Sequence, residues 1–440
     1  MKTRFAPSPT GYAHIGNMRT AIVCYLHTKK HNGEFIVRFD DTDIERNKQE
    51  YADGIYQDLD WFNLKYDAVF KQSKRLALYE KAKQKLLESG RIYPCYESPE
   101  EIAIMRKSMQ ARGVPPIYNQ QALKLHPDQI KEFEKQGRKP HYRFLLEDKD
   151  IVWNDKIKGL VKYRGRAFSD PVIIRENGMP MYTFTSIVDD IDMEITDIVR
   201  GEDHVTNTAI QIQIFEALEG KIPNFSHLTT IKTGNAKMSK RKGDFSVKAL
   251  REEGVEPMAI LSYMSQLGTG NDKIYLEFKD ILKDFDISNF GKAATNYSYE
   301  ELQKINEKYL NFVSFEQIQD RLTYLNISGL TSALWEVIKF NIARLDEVKE
   351  WIKICKILDF KNDKEDKDFL ETAAKLLPEK IDENTWDEWI ARIKDTTDRK
   401  GKQLFMPIRK ALTGKEHGPE LKKFLIFIER SEILKRLKNA

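Results

Sequence analysis

Cysteine is scarce in this chain: three residues, Cys24, Cys95 and Cys355, lie far apart among 440. That spacing excludes a disulfide framework and any CxxC metal pair, leaving reduced, structural thiols. No apolar run reaches the roughly 18 residues that mark a bilayer span, so no membrane segment is expected. The opening Met1-Lys2-Thr3-Arg4-Phe5 has no apolar core of a secretory signal and leads into a strand-like segment, which points to the cytoplasm. No internal repeat is visible. The net charge of +4 is close to balance, which argues against a chain that is uniformly basic or acidic.

What is present describes a soluble globular protein, 41% hydrophobic and 32% charged. A chain this long exceeds one comfortable core, so roughly two to four domains are expected. Charge is unevenly spread. Residues 391–440 carry 14 basic against 6 acidic side chains, a local surplus suited to a phosphate-bearing partner or to a solvated helix face.

Residues 3–7 read as a strand that enters a Pro/Gly turn. The spacing of Ile15, Met18, Ile22, Tyr25 and Leu26 predicts a helix to about Lys30, stopped by Asn32-Gly33. Glu34–Phe39 is strand-like and closes on Asp40-Asp41-Thr42-Asp43. This order is the opening βαβ unit of a parallel sheet, whose ligands gather at the carboxyl ends of the strands. From Cys95 to Trp153 the chain turns charged and irregular and reads as an insertion. The second half of the sheet domain is expected from Pro171-Val172-Ile173-Ile174, with a hairpin turn at Asn177-Gly178. It continues through Tyr182–Ser186 and Met193–Arg200, then a helix from about Thr206 to Gly220. Beyond about residue 290 only helical periods are found, at Glu300–Leu310, Leu334–Leu358 and Leu421–Leu437.

Two motifs carry chemistry. Pro7-Ser8-Pro9-Thr10-Gly11-Tyr12-Ala13-His14-Ile15-Gly16-Asn17 is a turn that opens into a helix, with Gly11 and Gly16 permitting close backbone approach. A helix N-terminus with a neighbouring His suits a phosphate. Lys237-Met238-Ser239-Lys240-Arg241 is a basic loop bracketed by Gly234 and Gly243, offering compact, repositionable charges for a leaving pyrophosphate. Together they supply what adenylyl transfer from ATP requires. Arg4 and Arg200 both fall near strand tips. There they suit a substrate carboxylate, or pair with a nearby acid such as Asp40 or Glu202.

Arg4–Gly11, His14–Asn17, Asp41-Thr42-Asp43, Val188-Asp189-Asp190, Arg200-Gly201-Glu202-Asp203-His204 and Lys237–Arg241 together resemble the bacterial glutamyl-tRNA synthetases, a family of class I aminoacyl-tRNA synthetases. The resemblance spans the chain, is strongest over residues 1–270, and includes Met406–Gly414, which is similar to a segment of that family's anticodon-binding region. It implies an α/β Rossmann-like catalytic domain with an inserted α+β acceptor-binding subdomain, followed by an all-α C-terminal region. The expected divisions are 1–94 and 171–225 for the catalytic halves and 95–170 for the insertion. Residues 226–300 would form the loop and stem-contact domain, and 301–440 the helical anticodon-binding region.

The resemblance also implies roles. Arg4 and Arg200 would clamp the side-chain carboxylate of L-glutamate beside Tyr182, and Ser8 would help hold the amino acid. Asp40 stands where the family usually has a Glu facing the α-amino group, and Ser186 where some relatives carry a longer polar residue. His14 and Lys240 would attend the ATP phosphates with Gly11 and Gly16, Lys237 would aid them, and His204 would lie near both substrates. The reaction implied is attack of the glutamate carboxylate on ATP to give an adenylate, then transfer to a terminal ribose hydroxyl of tRNA(Glu). Mg²⁺ accompanies ATP. Many relatives carry a zinc knuckle that begins Cys-x-Cys; Cys95-Tyr96-Glu97 lacks the second thiol, no Cys or His cluster follows, and no zinc is expected.

A monomer is expected. Within the family the alternative is a relaxed enzyme that also charges tRNA(Gln). A shortened paralogue acting on a modified tRNA base is disfavoured, because such proteins lack the helical C-terminal domain. The paired arginines and basic C-terminus argue against a nucleotidylyltransferase, and the intact His14 and lysine loop against a non-catalytic RNA-binding descendant.

Overall fold

The expected first strand forms as β1 (Lys2–Phe5) and the expected helix as α1 (Ile15–Lys30). A computed structural model describes every residue except Ile44, 234–245, 358–360 and Ala440. In α1 the apolar positions predicted from the sequence are buried, together with Ala21, Val23 and Cys24. The helix ends on Lys29 and Lys30, cations that suit the negative end of its dipole. Asn32 then turns left-handed at φ 50°, and a side chain at Gly33 would stand 2.4 Å from the Met1 carbonyl, so only glycine fits there.

The chain divides into two compact units, Met1–Lys248 with Leu261–Ser298, and Ala249–Ile260 with Tyr299–Ala440. In the first unit β2 (Glu34–Phe39) pairs parallel to β1, and β3 (Ala68–Lys71) parallel to β2. Helices α2 (Gln49–Trp61) and α3 (Leu76–Glu88) flank β3 along the chain. The sheet resumes on the other side of β1. There β9 (Asp197–Gly201) pairs parallel with β1 and β10 (Asn224–Leu228) parallel with β9, giving the order β10-β9-β1-β2-β3. The order in which strands are added reverses at β1, from β2 and β3 on one side to β9 and β10 on the other, and such a switch point leaves a crevice at the strands' carboxyl ends.

Between the halves stand β4 (Ile92–Cys95), β5 (His141–Phe144) and β8 (Val172–Ile174) in one antiparallel sheet, the hairpin β6 (Asp150–Asp155) with β7 (Gly159–Arg164), and helices α4 (Pro99–Ala111) and α5 (Pro127–Lys135). Val172–Ile174, expected to restart the parallel sheet, thus pairs with β5 instead. The stretch Tyr182–Ser186 is the start of helix α6 (Tyr182–Asp192), which buries Phe184, Ile187 and Val188. Its aromatic and hydroxyl residues have strand preference, but the burial pattern decides. Helix α7 (Val205–Ala217) follows β9, one residue from where the sequence starts it. Beyond residue 290 one short strand departs from the all-helical reading, β12 (Thr295–Tyr297), which pairs parallel with β11 (Ile231–Thr233); β3 to β7, β10 and β11 are likewise absent from the sequence reading. At three residues β12 is too short to show a period.

In the second unit every described element from Tyr299 onward is helical. Trp335 and Trp389 are fully buried in its core with Leu404, Ile408 and Phe424. The long helical runs break into pieces, Ser332–Ile338 and Val348–Lys356, then Leu421–Phe424 and Arg430–Leu437. Met406–Gly414 runs to the end of helix Lys402–Thr413.

Candidate active site

A cleft of about 1000 Å³ opens at the switch point, lined by residues of 4–20, 199–204 and 228–231 and by Tyr182. It gathers Arg4, Pro7, Ser8, Gly11, His14, Gly16, Asn17, Tyr182, Arg200 and His204 from segments far apart in sequence.

His14 caps α1. Its Nδ1 accepts the amide N–H of Gly16 at 3.0 Å and of Asn17 at 3.3 Å, while the Asn17 side chain accepts the His14 amide. An imidazole whose Nδ1 accepts carries its proton on Nε2. Burial holds its pKa below the ordinary imidazole value, so the ring is neutral and presents an Nε2–H donor. Gly16 is required by this packing: a Cβ there would lie 2.9 Å from the ring's Cε1. No atom stands within 4 Å of a Cβ built at Gly11, which leaves open space beside that turn. The strand pairing His14↔Ser246 brings the far end of the basic loop's segment back to this turn.

Arg4 and Arg200 are both buried yet differently compensated. Arg4 donates from Nε to Asp190 at 2.9 Å, and Arg38 donates to the same carboxylate at 2.7 Å. Asp190 is fully buried, which raises its carboxyl, but Arg4 and Arg38 outweigh that and hold it below the usual range. The neighbouring Asp189 accepts from Gln72, Arg75 and Tyr79. The acid pair Asp189-Asp190 therefore anchors the floor beneath the cleft. Arg200 meets no carboxylate within ion-pair distance among the described residues; it donates to Tyr182 Oη at 3.4 Å, Thr208 Oγ1 at 2.6 Å, Gln211 Oε1 at 2.7 Å and His227 Nε2 at 3.3 Å. Burial, and the like charge of Arg4, lower its pKa. A buried cation held only by neutral groups is a ready site for an anion.

His204 lies against Tyr182 with ring centroids 5.6 Å apart and the planes tilted by 54°, and burial and Arg200 keep its pKa low. Arg19 also lines the cleft, buried, donating to the carbonyls of Thr229 at 2.7 Å and Leu267 at 2.8 Å. The sequence reading missed it, although it sits four residues after Ile15 on α1.

Two expected residues stand elsewhere. Asp40 does not line the cleft: its carboxylate accepts from Arg38 at 2.7 Å, and burial pushes it up to about 6 against that pull. Ser186 is buried behind the cleft, donating to the Tyr182 carbonyl at 2.7 Å and accepting from Gln211 at 3.0 Å. Lys237, Met238, Ser239, Lys240 and Arg241 lie outside the described residues.

Three potential metal donors converge in the insertion. Cys95, Glu97 and His141 bring ligand atoms within 4.8 Å of one another. Strand pairing of β4 with β5 sets Cys95 opposite His141, a contact that the spacing alone does not show. The trio does not fit zinc. Glu97 already accepts from Tyr118 at 2.6 Å and Gln121 at 3.0 Å, and no fourth Cys, His, Asp or Glu joins among the described residues to close a structural site.

Residues 1–312 match the model of the class I tRNA synthetases (E and Q), catalytic domain, and residues 289–440 that of an anticodon binding domain. A glutamate–tRNA ligase 1 of Rickettsia bellii is 48% identical over 439 residues, 99% of this chain and 99% of the relative. One from Rickettsia massiliae is 47% identical over 442 residues, 100% of this chain and 99% of the relative. The crystal structure of a glutamate tRNA ligase from Elizabethkingia meningosepticum, in complex with its amino acid, superposes with a TM-score of 0.86 at 25% identity, covering 99% of this chain and 98% of that one.

Proposed function

The chain belongs to the class I tRNA synthetases of the E and Q branch, and from that premise we propose which groups of its cleft carry the reaction. It charges tRNA with glutamate for translation and uses ATP, as its class does. Arg200 and Arg4 receive the glutamate side-chain carboxylate, with Tyr182 beside it. The observation that carries this reading is the buried Arg200 guanidinium with neutral partners only, next to an acid-bound Arg4. Ser8 borders the amino acid at the cleft mouth. Asp40 acts through Arg38, which it shares with Asp190, and so steadies Arg4 rather than touching substrate.

The α-carboxylate of glutamate is already a nucleophile and attacks the α-phosphorus of ATP without a base. A bond to phosphorus forms as the bond to the bridging oxygen breaks, and pyrophosphate departs with the charge. Rate comes from position and from donors aimed at that charge. His14 Nε2–H at the start of α1, Gly11, Gly16 and the helix dipole serve the phosphates, and Lys237 and Lys240 follow the pyrophosphate. Mg²⁺ brought in with ATP would offset phosphate charge, and Asp203, the one acid among the described lining residues, would be the residue to hold it. The tRNA ribose hydroxyl then displaces AMP from the acyl-adenylate.

The insertion receives the acceptor end of tRNA, 226–300 the loop and stem contact, and 301–440 the anticodon. The enzyme acts as a cytoplasmic monomer, without zinc. The test is aminoacylation with radiolabelled glutamate on separate tRNA(Glu) and tRNA(Gln) transcripts, with ATP and Mg²⁺. Charging of tRNA(Glu) alone gives a discriminating enzyme, charging of both a relaxed one, and charging of neither refutes the reading.

A further inference from the structure

Arg200 has five N–H donors, and the described structure accounts for four of them. Nε goes to His227 Nε2, both Nη2 hydrogens go to Thr208 and Gln211, and one Nη1 hydrogen goes to Tyr182. Only the Nη1 end keeps a donor for the cleft. Which end that is depends on the three groups that hold the other side, and one of them is set by a proton. His227 is fully buried in β10, and its ring stacks 6.1 Å from Phe225. It can accept from Arg200 only if Nε2 carries a lone pair.

Asp155, at the end of β6, decides that. Its Oδ2 stands 2.5 Å from His227 Nδ1. Its Oδ1 accepts the amides of Ile157 at 3.0 Å, Lys158 at 2.9 Å and His227 at 3.2 Å. Burial raises the Asp155 carboxyl, but the bonds from His227 and these amides outweigh that and keep it ionised. An ionised carboxylate only accepts, so the imidazole proton must sit on Nδ1. Nε2 is then an acceptor, facing the Arg200 Nε–H at 3.3 Å and, at 2.9 Å, the Thr208 hydroxyl that itself accepts from Arg200 Nη2.

We propose that His227, with its tautomer fixed by Asp155, is a positioning residue that aims the Nη1 end of Arg200 at the glutamate carboxylate without neutralising its charge. The inference rests on the assignment of Arg200 to glutamate. A second carboxylate in the place of His227 would hold the guanidinium equally well but would satisfy its charge, as Asp190 does for Arg4. The relay runs from the insertion's hairpin through β10 to β9, so the insertion helps to set the amino-acid site.

The experiment is steady-state aminoacylation of tRNA(Glu), with glutamate and ATP varied separately and thermal unfolding recorded in parallel. The variants are Arg200→Ala, His227→Ala, His227→Asn, His227→Gln and Asp155→Asn. Asn reproduces Nδ1 and its bond to Asp155 but leaves Arg200 Nε unpaired. Gln places an acceptor where Nε2 was. His227→Ala and His227→Asn should raise KM for glutamate by about tenfold, the scale of one buried hydrogen bond to a charged group, with KM for ATP unchanged. His227→Gln should return to within about threefold of the original. In Asp155→Asn the side-chain oxygen must stay with its three amides, so its NH₂ faces Nδ1. The ring is driven to the Nε2–H tautomer, donor against donor at Arg200, and the loss should equal or exceed that of His227→Ala.

If Asn rescues as well as Gln does, or if every His227 variant changes melting but not KM for glutamate, the positioning role is overturned. Arg200→Ala separates the layers. If it leaves KM for glutamate unchanged, the assignment of Arg200 itself fails. If it raises KM while the His227 and Asp155 variants do not, only the relay fails.

Discussion

Replacing Gly16 with Ala should cripple ATP use while leaving the fold nearly as stable as before. The added Cβ would stand 3.0 Å from His14 Nδ1, a tight contact, and 2.9 Å from Cε1, closer than real Cβ contacts come. Both atoms belong to a ring on a rotatable side chain, so the ring moves and the backbone stays. Moving it breaks the bonds to the Gly16 and Asn17 amides, a lost N-cap that costs about 1 kcal/mol. Ala in a helix regains about 1 kcal/mol over Gly, so the two stability effects nearly cancel. The displaced Nε2–H no longer meets the phosphate. A misplacement of about 1 Å at a reacting group costs roughly 10²-fold, or about 2.7 kcal/mol in the barrier. The assay is aminoacylation with ATP varied, read beside the melting temperature. A large fall in kcat/KM for ATP with little change in melting is expected. Wild-type ATP kinetics would refute the reasoning. A collapse of melting would instead make Gly16 a folding residue.

The remaining predictions are briefer. Lys240→Ala should stop adenylate formation and leave tRNA binding nearly unchanged in a filter-binding assay; normal turnover removes that lysine from the mechanism. Arg200→Gln should weaken discrimination for glutamate over glutamine, since the amide carries no charge, and unchanged selectivity makes the arginine structural. Burial holds the pKa of His227 below its ordinary value, so the native state binds this proton less well than the unfolded chain. Its contribution to stability is complete above an unfolded pKa of about 6.5 and is lost as pH falls through the window below it. The melting temperature of the wild type should therefore fall further than that of His227→Gln between pH 7 and pH 5; parallel declines contradict a neutral buried imidazole. Trp389→Ala should cost about 3–5 kcal/mol, because the fully buried indole fills the helical unit's core and donates to the Ala373 carbonyl. Denaturant unfolding with a loss under about 1 kcal/mol would show that the core refills the space.

Much of the site was legible because its signals are local. The cap of α1, the glycine two residues after His14, and the strand–turn–helix order all lie within one short segment, where spacing and geometry coincide. β1, α1 and β2 followed for the same reason, whereas β3 lies outside that segment and was not read. Tyr182–Ser186 misled, since aromatic and hydroxyl residues fit a strand until packing makes them the opening of a buried helix. Val172–Ile174 looked like a strand of the parallel sheet and is a strand, but only pairing reveals its partner, β5. The near-approach of Cys95, Glu97 and His141 was hidden by the 45 residues between the first and the last, and antiparallel pairing closes that distance.

The sequence by itself determined the turn and the His14 cap at the candidate site, because both are made within a few neighbouring residues. Which charges in that site are free was decided only by the fold. Arg4 and Arg200 read alike as guanidinium groups near strand tips, yet Asp190 reaches the one, while Thr208, Gln211, Tyr182 and His227 surround the other. Charge compensation is a short-range matter of buried partners brought from distant segments, and no pattern along the chain records it.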